Sequence, residues 1–232
     1  TFGTSALGQG KLTIEPLTSS TSFSSAFSTS GLTLGSTLTG LTLGTPSNTA
    51  NVAIASAVNI AGPITVYGGD ITLNNNLTSA GDILLSAKNN FTTGDTTVQT
   101  INSNNHNISI IADSNADAPT PPPSPITDGL LDLDYLKLTS GSGDILIQGD
   151  IFIFVVAEKI SPTIADSTGG LTIKPSSASF YGGAGGVPVQ TSWFILPTTL
   201  TSFALGKPGN TSDLILDNNL SVAGPELPSK TE

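Results

Sequence analysis

Apolar residues recur at every second position in brief runs: Val52-Ala-Ile54, Val58-Asn-Ile60, Ile64-Thr-Val66, Ile71-Thr-Leu73, Ile108-Ser-Ile110, Ile145-Leu-Ile147, Ile151-Phe-Ile153, Leu171-Thr-Ile173 and Leu214-Ile-Leu216. A period of two turns alternate side chains to opposite faces, which predicts short strands with Thr, Ser or Asn on the outer face. No stretch carries the 3.6-residue period of an amphipathic helix.

The punctuation between runs is regular. Gly69-Asp70, Gly81-Asp82, Gly143-Asp144 and Gly149-Asp150 each precede an apolar alternation, and Gly169-Gly170 opens a looser copy. Gly is expected there for a positive φ at a sharp corner, and Asp for a bond to its own backbone. Strands this short suit a β-solenoid better than a sandwich, whose strands run to about five or six residues. No Asn-Gly hairpin turn occurs. Asn-rich corners at Asn74-Asn75-Asn76, Asn89-Asn90, Asn104-Asn105 and Asn218-Asn219 suit stacked turns with side-chain ladders. The fold class expected is all-β, a right-handed parallel β-helix.

A longer period overlies the short one. Leu43-Gly-Thr-Pro-Ser-Asn-Thr-Ala-Asn51 and Val58-Asn-Ile-Ala-Gly-Pro63 return as Leu205-Gly-Lys-Pro-Gly-Asn-Thr-Ser-Asp213 and Leu220-Ser-Val-Ala-Gly-Pro225, with Gly44 and Gly206 162 residues apart. Gly10-Lys-Leu-Thr-Ile-Glu-Pro16 returns as Gly169-Gly-Leu-Thr-Ile-Lys-Pro175. Residues 1–232 thus read as one elongated segment holding about one and a half copies of a unit of about 160 residues, the second copy starting near residue 169. A tandem of large units implies a spacer or fibre.

Two stretches depart from the pattern. Residues 116–134 include Pro119, Pro121, Pro122, Pro123 and Pro125, which cannot donate to a ladder, so a loop excursion from the coil is expected there, solvated or carrying a binding function. Residues 176–198 place two glycine pairs ahead of Trp193-Phe194, aromatics expected to plug the core or an edge, or to form a carbohydrate-stacking platform.

Composition narrows the chemistry. Charged residues are 10% and hydrophobic ones 37%, which is not the signature of disorder. The net charge is −10 and all seven basic residues are Lys, scattered singly, so neither nucleic acid nor anionic lipid is an expected partner. Cys and Met are absent, which leaves burial and backbone ladders to stabilise the fold; the missing Met predicts a fragment or processed product. No apolar run is long enough for a membrane helix, so no membrane insertion by this segment is expected.

Catalytic constellations are sparse. His106, the one His, lies in an Asn-rich corner without Cys or a second His to complete a zinc site. Asp132 and Asp134 alternate and would share one strand face, as a glycosidase pair might. Asp113-Ser-Asn-Ala-Asp117 has the opening spacing of a calcium loop but lacks Gly at the sixth and Glu at the twelfth position. No catalytic residue, metal ligand or cofactor is assigned.

Gly62-Pro-Ile-Thr-Val-Tyr-Gly-Gly-Asp-Ile-Thr-Leu73 and Gly81-Asp-Ile-Leu-Leu-Ser-Ala87 resemble the filamentous-haemagglutinin-like class of giant bacterial surface proteins, most clearly across residues 41–113 and 169–225. The resemblance implies a right-handed parallel β-helix, export to the cell surface, and a role in attachment or cohesion. The expected partners are neighbouring repeat units or end-to-end copies, and surface glycans. A carbohydrate-binding module, and behind it a polysaccharide-degrading β-helix enzyme, are the alternatives.

Overall fold

The computed structural model describes residues 9–17, 21–94, 97–115, 128–153, 161–183, 187–217, 220 and 222–223. These residues are nearly all strand and turn; the one helical element among them is the 3-10 turn Thr191–Trp193. The chain coils through three open parallel sheets and visits them in the same order on each central turn, a solenoid-like arrangement.

The first sheet has eight strands: Gly10–Ile14, Leu38–Leu43, Ile64–Gly68, Ile83–Ala87, Ile108–Ile111, Ile145–Gln148, Gly170–Lys174 and Ser202–Leu205. The second runs from Phe27–Ser28 through Val52–Ile54, Ile71–Leu73, Phe91–Thr93, Leu130–Asp132 and Ile151–Ile153 to Gly182–Gly183. The third stacks Val58–Ile60, Leu77–Ser79, Gln99–Asn102, Leu136–Thr139 and Thr163–Ile164. A short pair, Val189–Gln190 with Leu214–Ile215, stands beside them. Ile64 lies beside Ile83, 19 residues on, whereas Ile108 lies beside Ile145, 37 residues on. The coil therefore keeps its strand positions and absorbs extra length at the corners.

Alternation decides which side chains fill the interior. Ile64, Val66, Ile71, Leu73, Leu77 and Leu85 are fully buried, with Thr65, Thr72 and Thr78 between them half-buried on the outer face. Each inward residue touches its counterparts in the turns below and above, so Val52, Ile71 and Phe91 form one apolar column. Near residue 152 the alternation takes the other phase. Ile151-Phe-Ile153 reads as two inward isoleucines, but Phe152 takes the inward position beside Leu131 and is fully buried. It packs edge-on against Phe180 and Phe194, with ring centroids 5.8 and 5.9 Å away, so aromatic packing overrides the local pattern.

The corner glycines act differently from the sequence expectation. Positive φ occurs at Gly44, Gly129 and Gly141 but not at the glycines of the Gly-Asp units. Those glycines are needed for close approach between turns. A Cβ on Gly143 would lie 2.0 Å from His106 O, and one on Gly69 would lie 2.2 Å from Thr49 O. The left-handed residues of the His106 corner are Asn104 and Asn105, with φ of 48° and 73°.

The Asp of each unit also bonds outward, to the next turn rather than to its own backbone. Asp82 Oδ1 accepts the N–H of Asn107 at 2.9 Å, Asn107 Oδ1 accepts that of Asp144 at 2.9 Å, and Asp144 Oδ1 accepts that of Gly170 at 2.7 Å. A second ladder runs from Asn51 to Asp70 at 3.0 Å, Asp70 to Asn90 at 3.3 Å and Asn90 to Leu130 at 3.1 Å. In both ladders Asp alternates with Asn, so no two carboxylates stack at the strand spacing of about 4.8 Å. At a third corner Ser79, Ser103, Ser140 and Ser167 are fully buried on successive turns. The Ser79 hydroxyl donates to Gly62 O at 2.7 Å and accepts from Gly81 N at 3.0 Å, and Ser140 and Ser167 Oγ lie 3.1 Å apart. The corners are held by polar ladders as the walls are held by apolar ones.

The expected excursion over residues 116–134 divides. Residues 116–127 lie outside the described residues, and Leu130–Asp132 pair with Phe91–Thr92 below and Ile151–Ile153 above. The C-terminal end of that stretch is therefore part of the ladder, because Leu131 and Leu133 supply buried inward residues.

Gly143→Ala is expected to destabilise by about 1–3 kcal/mol, since the new methyl meets backbone that must move. Gly40→Ala, whose Cβ would have the flexible Lys11 side chain as its nearest neighbour at 3.2 Å, is the control and should cost far less in urea denaturation. Asn107→Asp would set three carboxylates in a row and cost about 0.5–1 kcal/mol at neutral pH. The deficit should shrink as added salt screens the row, as read from urea midpoints at low and high ionic strength.

Candidate functional site

Each candidate from the sequence has a definite place on the coil. His106 is exposed at a corner, its Nδ1 3.3 Å from Asn104 O, while its carbonyl accepts the Ser103 hydroxyl. Its backbone serves the buried serine corner and its ring stands in solvent.

Asp132 and Asp134 do not share a strand face. The strand ends at Asp132, whose carboxylate accepts the Asp134 N–H at 3.3 Å and so shapes the turn. Asp132 is half-buried, Asp134 is buried, and Tyr135 follows with φ of 61°. The strand expected from sequence stops two residues short of Asp134, so it does not pair the two carboxyl groups.

Asp113 is buried with φ of 53°, at the point where the chain leaves the first sheet. Asp117, its counterpart in the calcium-loop spacing, lies outside the described residues. The base of the departing segment is well anchored. Asn89 O accepts the N–H of Asp113 at 2.8 Å and that of Gly129 at 3.2 Å, so exit and return meet on one carbonyl. Among the described residues no three His, Asp or Glu side chains gather as metal ligands.

Trp193 and Phe194 separate into two roles. Phe194 is buried on Phe152, as a core plug, and Trp193 is half-buried with its side chain packed against the same core. Phe194 therefore has no open face, whereas Trp193 keeps part of its surface accessible. The turn that carries them is fixed by Asp217, which accepts Thr191 Oγ1 at 3.0 Å, Ser192 N–H at 2.8 Å and Ser192 Oγ at 2.5 Å. The Ser192 hydroxyl is the main cause holding the Asp217 carboxyl below its ordinary value; desolvation opposes it, and the Ser192 N–H and Thr191 hydroxyl add to it. Alternation and motif spacing missed Asp217, because the contact spans 25 residues and no local pattern announces it.

What the arrangement does present is two sheet ends. Among the described residues, Gly10–Ile14 and Phe27–Ser28 form one end of the first and second sheets, and Ser202–Leu205 forms the other end of the first. Unpaired strand edges are templates for another chain. Leu17, three residues after the strand Gly10–Ile14, is 97% exposed. No known protein family, no curated protein and no solved structure matches the chain.

Ser192→Ala is expected to raise the Asp217 pKa toward the ordinary carboxylate range, measurable by NMR titration of the side-chain carboxyl. A carboxyl held low in the folded state stabilises above its unfolded pKa, and that contribution is lost as pH falls through the folded value. In the variant the loss should begin at higher pH.

Proposed function

We propose that this chain is a segment of right-handed parallel β-helix that serves as the stalk or fibre of a large secreted, cell-surface bacterial protein, acting in attachment or cell–cell cohesion and without turnover. The observation that carries the reading is the first sheet, eight strands long and parallel throughout, with an apolar column on its inner face. At about 4.8 Å per strand such a sheet advances roughly 34 Å along its axis. The right hand follows from the strong preference of parallel crossover connections.

A stalk needs only walls that can be extended, and each turn here contacts chiefly its neighbours, so stability grows turn by turn. The outer positions are mostly Thr, Ser and Asn, and the acidic, Arg-free composition suits a surface exposed to water rather than to nucleic acid or anionic lipid. The resemblance of residues 41–113 and 169–225 to filamentous-haemagglutinin-like proteins points the same way. No helix among the described residues is long and apolar enough to cross a membrane. A glycan-binding role ranks second, because Trp193 packs on the core.

Antibodies raised against the purified chain should label intact source cells and reduce their attachment to surfaces or to one another. Labelling that appears only after lysis would reject the surface role, and a left-handed coil in a crystal structure would reject the stated hand.

A further inference from the structure

Three central strands open on one pattern, a corner Asn, an inward apolar residue and an outward hydroxyl: Asn76-Leu-Thr78, Asn90-Phe-Thr92 and Asn107-Ile-Ser109. Leu77, Phe91 and Ile108 are fully buried, and Thr78, Thr92 and Ser109 are half-buried on the outer side. Asn210-Thr-Ser212 repeats the spacing in the turn after Ser202–Leu205, and Asn219-Leu-Ser221 lies outside the described residues. Asn with Ser or Thr two residues on is the acceptor tripeptide for a sugar on the side-chain amide nitrogen. The alternation of the coil writes this tripeptide by itself, so its presence selects no particular Asn. What the amide nitrogen does in the folded chain separates the sites.

At two of them the nitrogen is in use. Asn90 is half-buried; its Nδ2 donates to Asp70 Oδ1 at 3.1 Å while its Oδ1 accepts the Leu130 N–H at 3.1 Å. Asn210 is half-buried too; its Nδ2 donates to Ser212 O at 2.9 Å and its Oδ1 accepts the Phe180 N–H at 3.1 Å. A substituent on either nitrogen competes with a bond that joins two turns or closes one.

At the other two only the oxygen is in use. Asn76 is exposed, and its Oδ1 accepts the Thr100 N–H of the next turn at 2.7 Å. Asn107 is exposed, and its Oδ1 accepts the Asp144 N–H at 2.9 Å. Among the described residues neither Nδ2 makes a hydrogen bond. Both nitrogens stand at solvent-facing corners, each beside the outward hydroxyl of its own tripeptide.

We propose that Asn76 and Asn107 are attachment sites for N-linked sugar. The donor is a glycosyl diphosphate. The bond from sugar C1 to the phosphate oxygen breaks, its electron pair leaving with the diphosphate; a bond from C1 to Nδ2 forms, and Nδ2 gives up one proton. The product amide keeps its carbonyl oxygen, so the bonds to Thr100 and Asp144 survive and the coil carries the sugar without losing a ladder contact. The inference goes beyond the stalk reading and does not rest on it.

Protein isolated from its source cells, digested and mapped by mass spectrometry, should carry sugar on the peptides holding Asn76 and Asn107, with Asn90 and Asn210 bare. Thr78→Ala and Ser109→Ala, expressed in the same cells, remove the outward hydroxyl and leave the ladder Asn in place. Each should lose the sugar at its own site and keep it at the other, whereas Thr78→Ser should retain both. Urea midpoints close to that of the parent would show that the variants fold. An unmodified Asn76 or Asn107 in the native protein would overturn the proposal, as would equal occupancy at Asn90 and Asn210, or alanine variants that stay modified.

Discussion

A parallel ladder requires each strand to lie about 4.8 Å from the one before it, in register and pointing the same way. In this chain the requirement is met by returning after every turn to the same place on the wall, and most other features answer to it. Inward positions must be apolar because they face the same positions in the turns below and above, as Ile71 faces Val52 and Phe91. Corner positions must be small where one turn crosses close over another, as Gly143 does over His106. Corner side chains must satisfy backbone donors that strand pairing leaves over, as Asp82, Asn107 and Asp144 do in succession.

The constraint is strict along the wall and loose at the corners. The step from Ile64 to Ile83 and the longer step from Ile108 to Ile145 end in the same pairing geometry. Length is added where only the anchoring points matter, and Asn89 shows how little anchoring suffices, since one carbonyl takes both Asp113 and Gly129. A coil of this kind can carry variable segments without disturbing its core, which suits a scaffold that displays loops.

The same logic makes the ends of the coil chemically different from its middle. Inside, each strand is both template and cover; among the described residues Gly10–Ile14 and Ser202–Leu205 each pair with one strand of the first sheet. The internal repeat makes the comparison direct, because Leu41 and Phe203 occupy equivalent places and only the first is buried.

How much of this was legible in the residues varies with the range of the interaction. The strands, their inward faces through most of the coil, and the all-β class follow from alternation, because a period of two is a local consequence of the pleat. The Gly-Asp punctuation marked the corners but not their chemistry. Gly is there for contact with a turn some 20 to 40 residues away, and Asp bonds that neighbouring turn, neither of which a local pattern encodes. The phase change at Phe152 depended on Phe180 and Phe194, the separation of Asp132 from Asp134 depended on where pairing with the second sheet stopped, and Asp217 found its role only across space. Local periodicity therefore determined which residues form the wall, whereas the stacking of turns decided what each corner does, because corner contacts join residues distant in sequence and adjacent only after the chain has coiled.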